Sequence, residues 1–196
     1  MKTTLKKIAF YTLAILLGGC VPSLHPLFTD EEIIFDANLV GVWSEPNSKN
    51  FWEFKQADNK KYDVIYTDEK GIGKFDGRLG KIGGDTFIDF YPQDINLPGS
   101  DFYKFHLLGI HTFAKVGLSK DSLKLSVMNP DNVEKLLKTD PNATKHEKVD
   151  DRIVLISSTK ELQTFIKKYG KDNDLFKEEN DNQLQRVKQQ DANSVK

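Results

Sequence analysis

The residues able to do chemistry are few, and the first of them is Cys20, the single cysteine of the chain. A thiolate is a strong nucleophile, and Gly18 and Gly19 immediately before it leave both the sulfur and the backbone open to approach. With no second cysteine, an intramolecular disulfide and a cysteine-based metal cage are both excluded. The four histidines offer little. His106 and His111 fall in one predicted strand, and a separation of five sends them to opposite faces. His25 and His146 have no companions at metal-ligand spacing. His111 shares its predicted face with Leu107 and Phe113, which places it as a polar group inside a cavity. Gly71-Ile72-Gly73-Lys74 lacks phosphate-loop spacing and does not open a helix. No Gly-x-Ser-x-Gly elbow occurs, and Asp85, Asp89 and Asp94 form no pair that can be placed across a cleft. The expectation is a chain with no catalytic residue, no metal and no cofactor, and so not an enzyme.

The segment around Cys20 reads as an address. Lys2, Lys6 and Lys7 precede an apolar run from Ile8 to Leu17 with no acidic residue among them, the pattern of a charged region followed by a short hydrophobic one. Ten such residues span about 15 Å as a helix, half of a bilayer core. Leu17-Gly18-Gly19-Cys20 resembles the lipobox of bacterial lipoproteins. The resemblance implies lipid attachment to the Cys20 sulfur, cleavage between Gly19 and Cys20, and acylation of the new amino terminus. Several acyl chains hold a protein firmly, since each buried CH₂ contributes about 0.8 kcal/mol. Val21 stands where Asp is the inner-membrane retention signal, which implies the outer membrane in a Gram-negative cell.

The whole chain of 196 residues is nearly neutral, with 28 basic and 29 acidic residues. It has no broad electrostatic footprint for nucleic acid. All three lysines of residues 1–19 leave with that segment, so the remainder carries a formal charge of −4. Residues 20–36, with Pro22 and Pro26, read as an acylated terminus and a tether with some ordered contacts. Residues 37–170 form the folded domain. Within it, strand-like alternation bounded by Asn, Asp, Gly and Pro covers 39–44, 51–55, 62–67, 74–79, 86–91, 105–116, 123–128 and 153–157. Eight such segments predict a mainly β domain, an antiparallel barrel or sandwich.

Two helices interrupt or follow the strands. Asn129 caps and Pro130 opens a short helix through Val133, Leu136 and Leu137. Ser158 and Glu161 form a capping box for an amphipathic helix bearing Leu162, Phe165, Ile166 and Tyr169, with Gly170 as its stop. Residues 171–196, with eleven charged residues, predict a polar, weakly helical or disordered tail.

Gly41-Val42-Trp43 at the start of the first strand, followed by seven more strands and a helix, resembles the lipocalin superfamily. The resemblance implies an up-and-down barrel whose tryptophan closes the narrow end, with a late arginine stacked on the indole. Arg152, just before the last predicted strand, is the residue it assigns, so Gly41, Trp43 and Arg152 form the expected closure. A closer similarity is to a group of bacterial lipoproteins with no established activity. They carry Cys-x-Pro-Ser-Leu-His-Pro-Leu, Leu-Val-Gly-x-Trp and Val-Leu-x-x-Ser-Thr-x-Glu-Leu-Gln-x-Phe, here at 20–27, 39–43 and 154–165. An eight-stranded barrel is just wide enough for its own side chains or one small ligand. Trp52, Phe54, Tyr62, Phe87, Phe90 and Phe113, with His111, are its expected lining. The expected function is a membrane-anchored, non-enzymatic binder or carrier of a small apolar ligand, held to membrane lipid through Cys20. The alternative is an assembly lipoprotein that meets an envelope protein through its outer surface and tail.

Overall fold

Alternating apolar and polar residues from Gly41 to Val127 build seven antiparallel strands in succession, and an eighth arrives from far down the chain, in a computed structural model describing residues 20–58, 60–93, 99–176 and 183–187. The lysine-headed segment 1–19 and the cleavage residue Gly19 lie outside these. The strands are β1 (Gly41–Ser44), β2 (Phe51–Gln56), β3 (Tyr62–Asp68), β4 (Gly71–Ile82), β5 (Asp85–Pro92), β6 (Thr112–Leu118) and β7 (Ser122–Val127). A short helix α1 (Asp101–Phe105) sits between β5 and β6. Then come α2 (Pro130–Thr139), β8 (His146–Val149), β9 (Arg152–Leu155), α3 (Thr159–Tyr169) and β10 (Gln183–Arg186). The barrel is closed in the order β1-β10-β7-β6-β5-β4-β3-β2, with every pair antiparallel. The fold is therefore mainly β, and an eight-stranded antiparallel barrel rather than a sandwich, as the lipocalin resemblance implies.

The identity of the eighth strand differs from expectation. The strand expected over 153–157 is β9, and it forms a two-stranded hairpin with β8 outside the barrel. Asp150 and Asp151 make its turn at φ 47° and 63°, the doubly left-handed geometry that matches strand twist. The place beside β1 belongs to β10, from the segment read as a polar tail. A closed sheet must satisfy the unpaired backbone groups of its first and last strands, and β10 does so for both β1 and β7. Upstream of it, Leu175 and Phe176 are also buried rather than frayed.

Cross-strand partners share a face, so the register identifies the interior. Trp43 opposes Trp52, Phe54 opposes Val64, Leu79 opposes Ile88 and Leu123 opposes Leu184, and together they form one core inside the barrel. The outer wall of β2 to β4 carries Glu53, Lys55, Asp63 and Lys74. This is the inverse of a membrane-spanning barrel, whose outer face is apolar. Among the described residues no helix is long and apolar enough to cross a membrane.

A second apolar layer covers the wall formed by β4 to β7. It joins α2, α3 and residues 171–176 to the chain that precedes β1. That N-terminal stretch is no tether. Val21, Leu27, Phe28 and Ile33 are at most 2% exposed, and Ser23 exchanges two backbone hydrogen bonds of 2.9 Å with His111. Phe28 lies flat on Gly80, where a Cβ would come within 2.5 Å of its ring. Residues 21–36 are a strap bound along the barrel. The helix caps follow the predicted chemistry. Asn129 accepts from Asn132 N–H at 3.1 Å, and Ser158 N–H donates to Glu161 Oε2 at 2.8 Å. Gly170 ends α3 in the right-handed region, so the stop there comes from the following turns rather than a left-handed cap.

One end of the barrel, the base, is shut. A 3₁₀ turn (Ala37–Leu39) crosses it, and Trp43 Nε1–H donates to Leu39 O at 2.9 Å. The Tyr62 hydroxyl accepts from Asp36 N–H at 2.7 Å and lies 3.0 Å from Asp36 O, to which it donates. Arg186 lies over the Trp43 ring at 4.1 Å and donates to Asn38 O, Val40 O and Lys120 O. Arg152, the expected closing residue, is exposed on β9 outside the barrel. Gly41 is required beside Arg186, because its φ is +142° and a Cβ would collide with the guanidinium.

Arg186→Ala should therefore cost about 2 kcal/mol, from a cation–π contact and charge-assisted hydrogen bonds, while Arg152→Ala should change stability by less than about 0.5 kcal/mol; urea unfolding of the two variants compares them. Burial of the Tyr62 hydroxyl pushes its pKa up to about 12. The unfolded chain releases that proton at lower pH, so the stability is full below about pH 10 and falls as pH rises toward 12. Tyr62→Phe should lose stability at neutral pH yet show a shallower decline across that alkaline window.

Candidate binding site at the barrel mouth

The end opposite the base is the mouth, bounded by the β1–β2, β3–β4 and β5–β6 connections and the exit of β7. Interior positions there are aromatic because period-two alternation on β2 to β5 puts Trp52, Tyr66, Phe75 and Phe90 on the inner face. The Trp52 ring lies 4.6 Å from Tyr66 and 5.5 Å from Phe90, and Phe75 meets Phe90 edge-on at 6.3 Å. Trp52, Tyr66 and Phe75 are only partly buried. Deeper down, Phe54, Tyr62, Leu79, Ile88 and Leu123 are at most 1% exposed. The barrel is packed at its base and presents exposed ring surface at its mouth, an arrangement able to receive an apolar group by stacking and burial.

Three of the expected lining residues, Trp52, Phe54 and Tyr62, point inward, and Phe90 joins them. Phe87, His111 and Phe113 do not. They lie on the outer face, with Phe87 against Phe176 at 5.0 Å and Phe113 under the second layer. Alternation on β5 and β6 separates the faces but carries no sign, and both faces of this wall are covered. Tyr66 and Phe75 lie inside without being among the expected lining, although Tyr66 shares one face of its strand with Tyr62 and Val64.

The expected strand over 105–116 is also shorter than predicted. Phe105 ends α1, where Ser100 Oγ accepts from Tyr103 N–H at 3.3 Å, and β6 begins only at Thr112. His106 is in the connection, with Nδ1 2.7 Å from Phe102 O. The run 102–108 alternates as a strand does, with Lys104 and His106 between Tyr103, Phe105 and Leu107, yet it opens as a helical turn capped by Ser100.

His111 is buried beside Asp89, whose side chain is fully enclosed. A carboxylate only accepts, so His111 Nδ1 carries the proton and donates at 2.9 Å. The second Asp89 oxygen accepts from Leu27 N–H at 2.9 Å. This pair fastens the strap to β5 and β6. Above it, Arg78, Tyr91, Leu108 and His111 line a cleft of about 350 Å³, and the Tyr91 ring stacks on His111 at 4.6 Å. Among the described residues, no hydroxyl or thiol nucleophile other than the Tyr91 phenol lines it.

Another cleft, of about 550 Å³, runs between α3 and the segment leading into β8. Its one strongly perturbed group is Glu161. The Lys145 ammonium at 2.7 Å, with the Ser158 hydroxyl and N–H, holds that carboxyl at about 2. The Ser158 contacts are the capping box, and the Lys145 ammonium adds an ion pair to it. Among the described residues no three His, Cys, Asp or Glu side chains assemble as a metal site.

Asp89→Ala should cost about 3 kcal/mol by leaving Leu27 N–H and His111 without their buried acceptor. It should also speed hydrogen exchange at the Leu27 amide more than at Ile88 on the barrel strand. Comparison of the chain with protein-family models, curated proteins and solved structures returns no match.

Proposed function

We propose that the protein is a lipid-anchored envelope protein of lipocalin-like kind, whose barrel holds a small apolar ligand at its mouth. The observation that carries this is the group of partly exposed aromatic side chains, Trp52, Tyr66 and Phe75, at the end of the apolar interior opposite the filled base. Because the base is filled, the seat suits one ring or a short stretch of acyl chain rather than a long chain drawn fully inside. Gly41, Trp43 and Arg186 support the lipocalin-like reading, with Arg186 in the role first assigned to Arg152. Leu17-Gly18-Gly19-Cys20 supports acylation of Cys20, which is exposed, and Val21 supports the outer membrane in a Gram-negative cell. The reading is of a binder rather than an enzyme, since Asp89 is committed to Leu27 and His111.

The alternative is an assembly lipoprotein that meets an envelope protein through its outer surface and tail. Residues 183–186 of that tail are a barrel strand, so deleting 171–196 would open the barrel as well as remove a contact.

Cells fed an alkyne-bearing fatty acid should label the protein, and Cys20→Ser should abolish the label. The purified protein should bind a fluorescent fatty acid saturably, and Trp52→Ala should weaken binding about tenfold through lost ring contact. Phe87→Leu, on the outer face, should leave affinity unchanged. Non-saturable binding, or equal affinity in Trp52→Ala, would reject the mouth as the seat.

A further inference from the structure

The large apolar side chains that the described residues leave open to solvent are gathered at one end of the molecule. Phe102, Phe105 and Leu108 are 77%, 85% and 73% exposed, all in the connection from β5 to β6 at the mouth. Ile72, 67% exposed, is beside the β3–β4 turn at the same end. Val149 tips the β8–β9 hairpin, whose neighbours Lys148 and Arg152 share a groove with Cys20. The turns at the base are polar instead: Asp58 and Lys60 in one, Gly83 and Gly84 in the next, Lys120 and Asp121 in the third. A one-ended apolar patch on a monomeric surface marks an interaction site.

Cys20 identifies the surface it meets. Val21 is 2% exposed, Leu155 N–H donates to Pro22 O at 2.8 Å, and Ser23 pairs with His111. His111 directly precedes β6, whose first residue, Thr112, lies at the mouth. Two residues therefore separate Cys20 from Ser23 at the barrel wall, roughly 10 Å at full extension, and Cys20 shares a groove with Pro130, where the chain leaves β7 at the mouth. Acyl chains on Cys20 would leave the protein no slack, and the end bearing Cys20 would be the end pressed to the lipid.

We propose that the mouth end of the barrel docks on the phospholipid bilayer, with Phe102, Phe105 and Leu108 inserted at the boundary of headgroups and acyl chains. This rests on the acylation of Cys20 proposed above. The loop suits that depth: Asp101 and Lys104 carry opposite charge 3.9 Å apart, leaving it no net charge between them, while short apolar faces reach about 5–10 Å into an interface. The aromatic seat then faces the bilayer, and an apolar ligand passes between membrane and barrel without crossing water.

The test uses the full chain purified from membranes and reconstituted in phosphatidylcholine–phosphatidylglycerol vesicles. With the Cys20 sulfur acylated, a second cysteine is the only site for a thiol-reactive, polarity-sensitive dye. Phe105→Cys and Leu108→Cys should give blue-shifted emission and several-fold stronger quenching by nitroxide-labelled lipid than Asp58→Cys at the base. Equal quenching at both ends, or unquenched dye at positions 105 and 108 in protein whose N-terminal peptide carries acyl chains by mass spectrometry, would overturn the proposal. An N-terminal peptide without lipid would overturn the anchoring reading and this orientation with it.

Discussion

The barrel depends on one side chain at its seam. β1 and β10 are the shortest barrel strands, four residues each, and they pair with one another at two positions. So short a ladder gives little closure by backbone pairing alone. Arg186 supplies the rest, because its planar guanidinium can stack and donate in several directions at once. It covers the Trp43 indole and binds carbonyls before β1 and in the β6–β7 turn. Gly41 makes room for it. The tryptophan, the glycine and the arginine are thus one device, assembled from residues more than 140 positions apart.

Closing the seam fixes the interior, and the interior fixes the outer layer. Once Leu79, Ile88 and Ala114 face inward, Phe87 and Phe113 must face outward with Gly80 and Ile82, and this apolar wall has to be covered. The strap, α2, α3 and residues 171–176 cover it. The strap also carries a polar requirement: Leu27 N–H enters a dry environment, where an unpaired amide is costly, and the enclosed Asp89 carboxylate answers it. Binding the strap so tightly leaves Cys20 at a defined place, in a groove with Pro130 where the chain leaves β7. The positions of Cys20 and of the mouth aromatics are consequently linked through packing.

Elements governed by local chemistry were legible. Asn129-Pro130 and Ser158-x-x-Glu161 are cap signals complete within four residues, and both helices begin where they say. β2, β3 and β5 alternate cleanly enough to be read within a residue or two. The failures share a cause. In the run from Phe102 to Leu108, Lys104 and His106 alternate with Tyr103, Phe105 and Leu107 as in a strand, yet Ser100 caps a helical turn there. Leu184 is one apolar residue between glutamines, a pattern too short to announce a strand. Arg152 and Arg186 both stand near a strand, and choosing between them requires knowing which strand lies beside β1.

Residue types and short-range spacing by themselves determined the mainly β class, the two capped helices and the distinct character of the segment around Cys20, while the lipocalin resemblance marked Gly41 and Trp43. Each of these is settled within a few residues or by a count of alternating runs. Only the tertiary structure decided that β10 rather than β9 completes the sheet, that Phe87, His111 and Phe113 lie outside while Trp52, Tyr66 and Phe75 meet at the mouth, and that residues 21–36 are a strap. These are questions of which surfaces touch. Alternation is unchanged when the two faces are exchanged, and only the closed packing of distant segments breaks that symmetry.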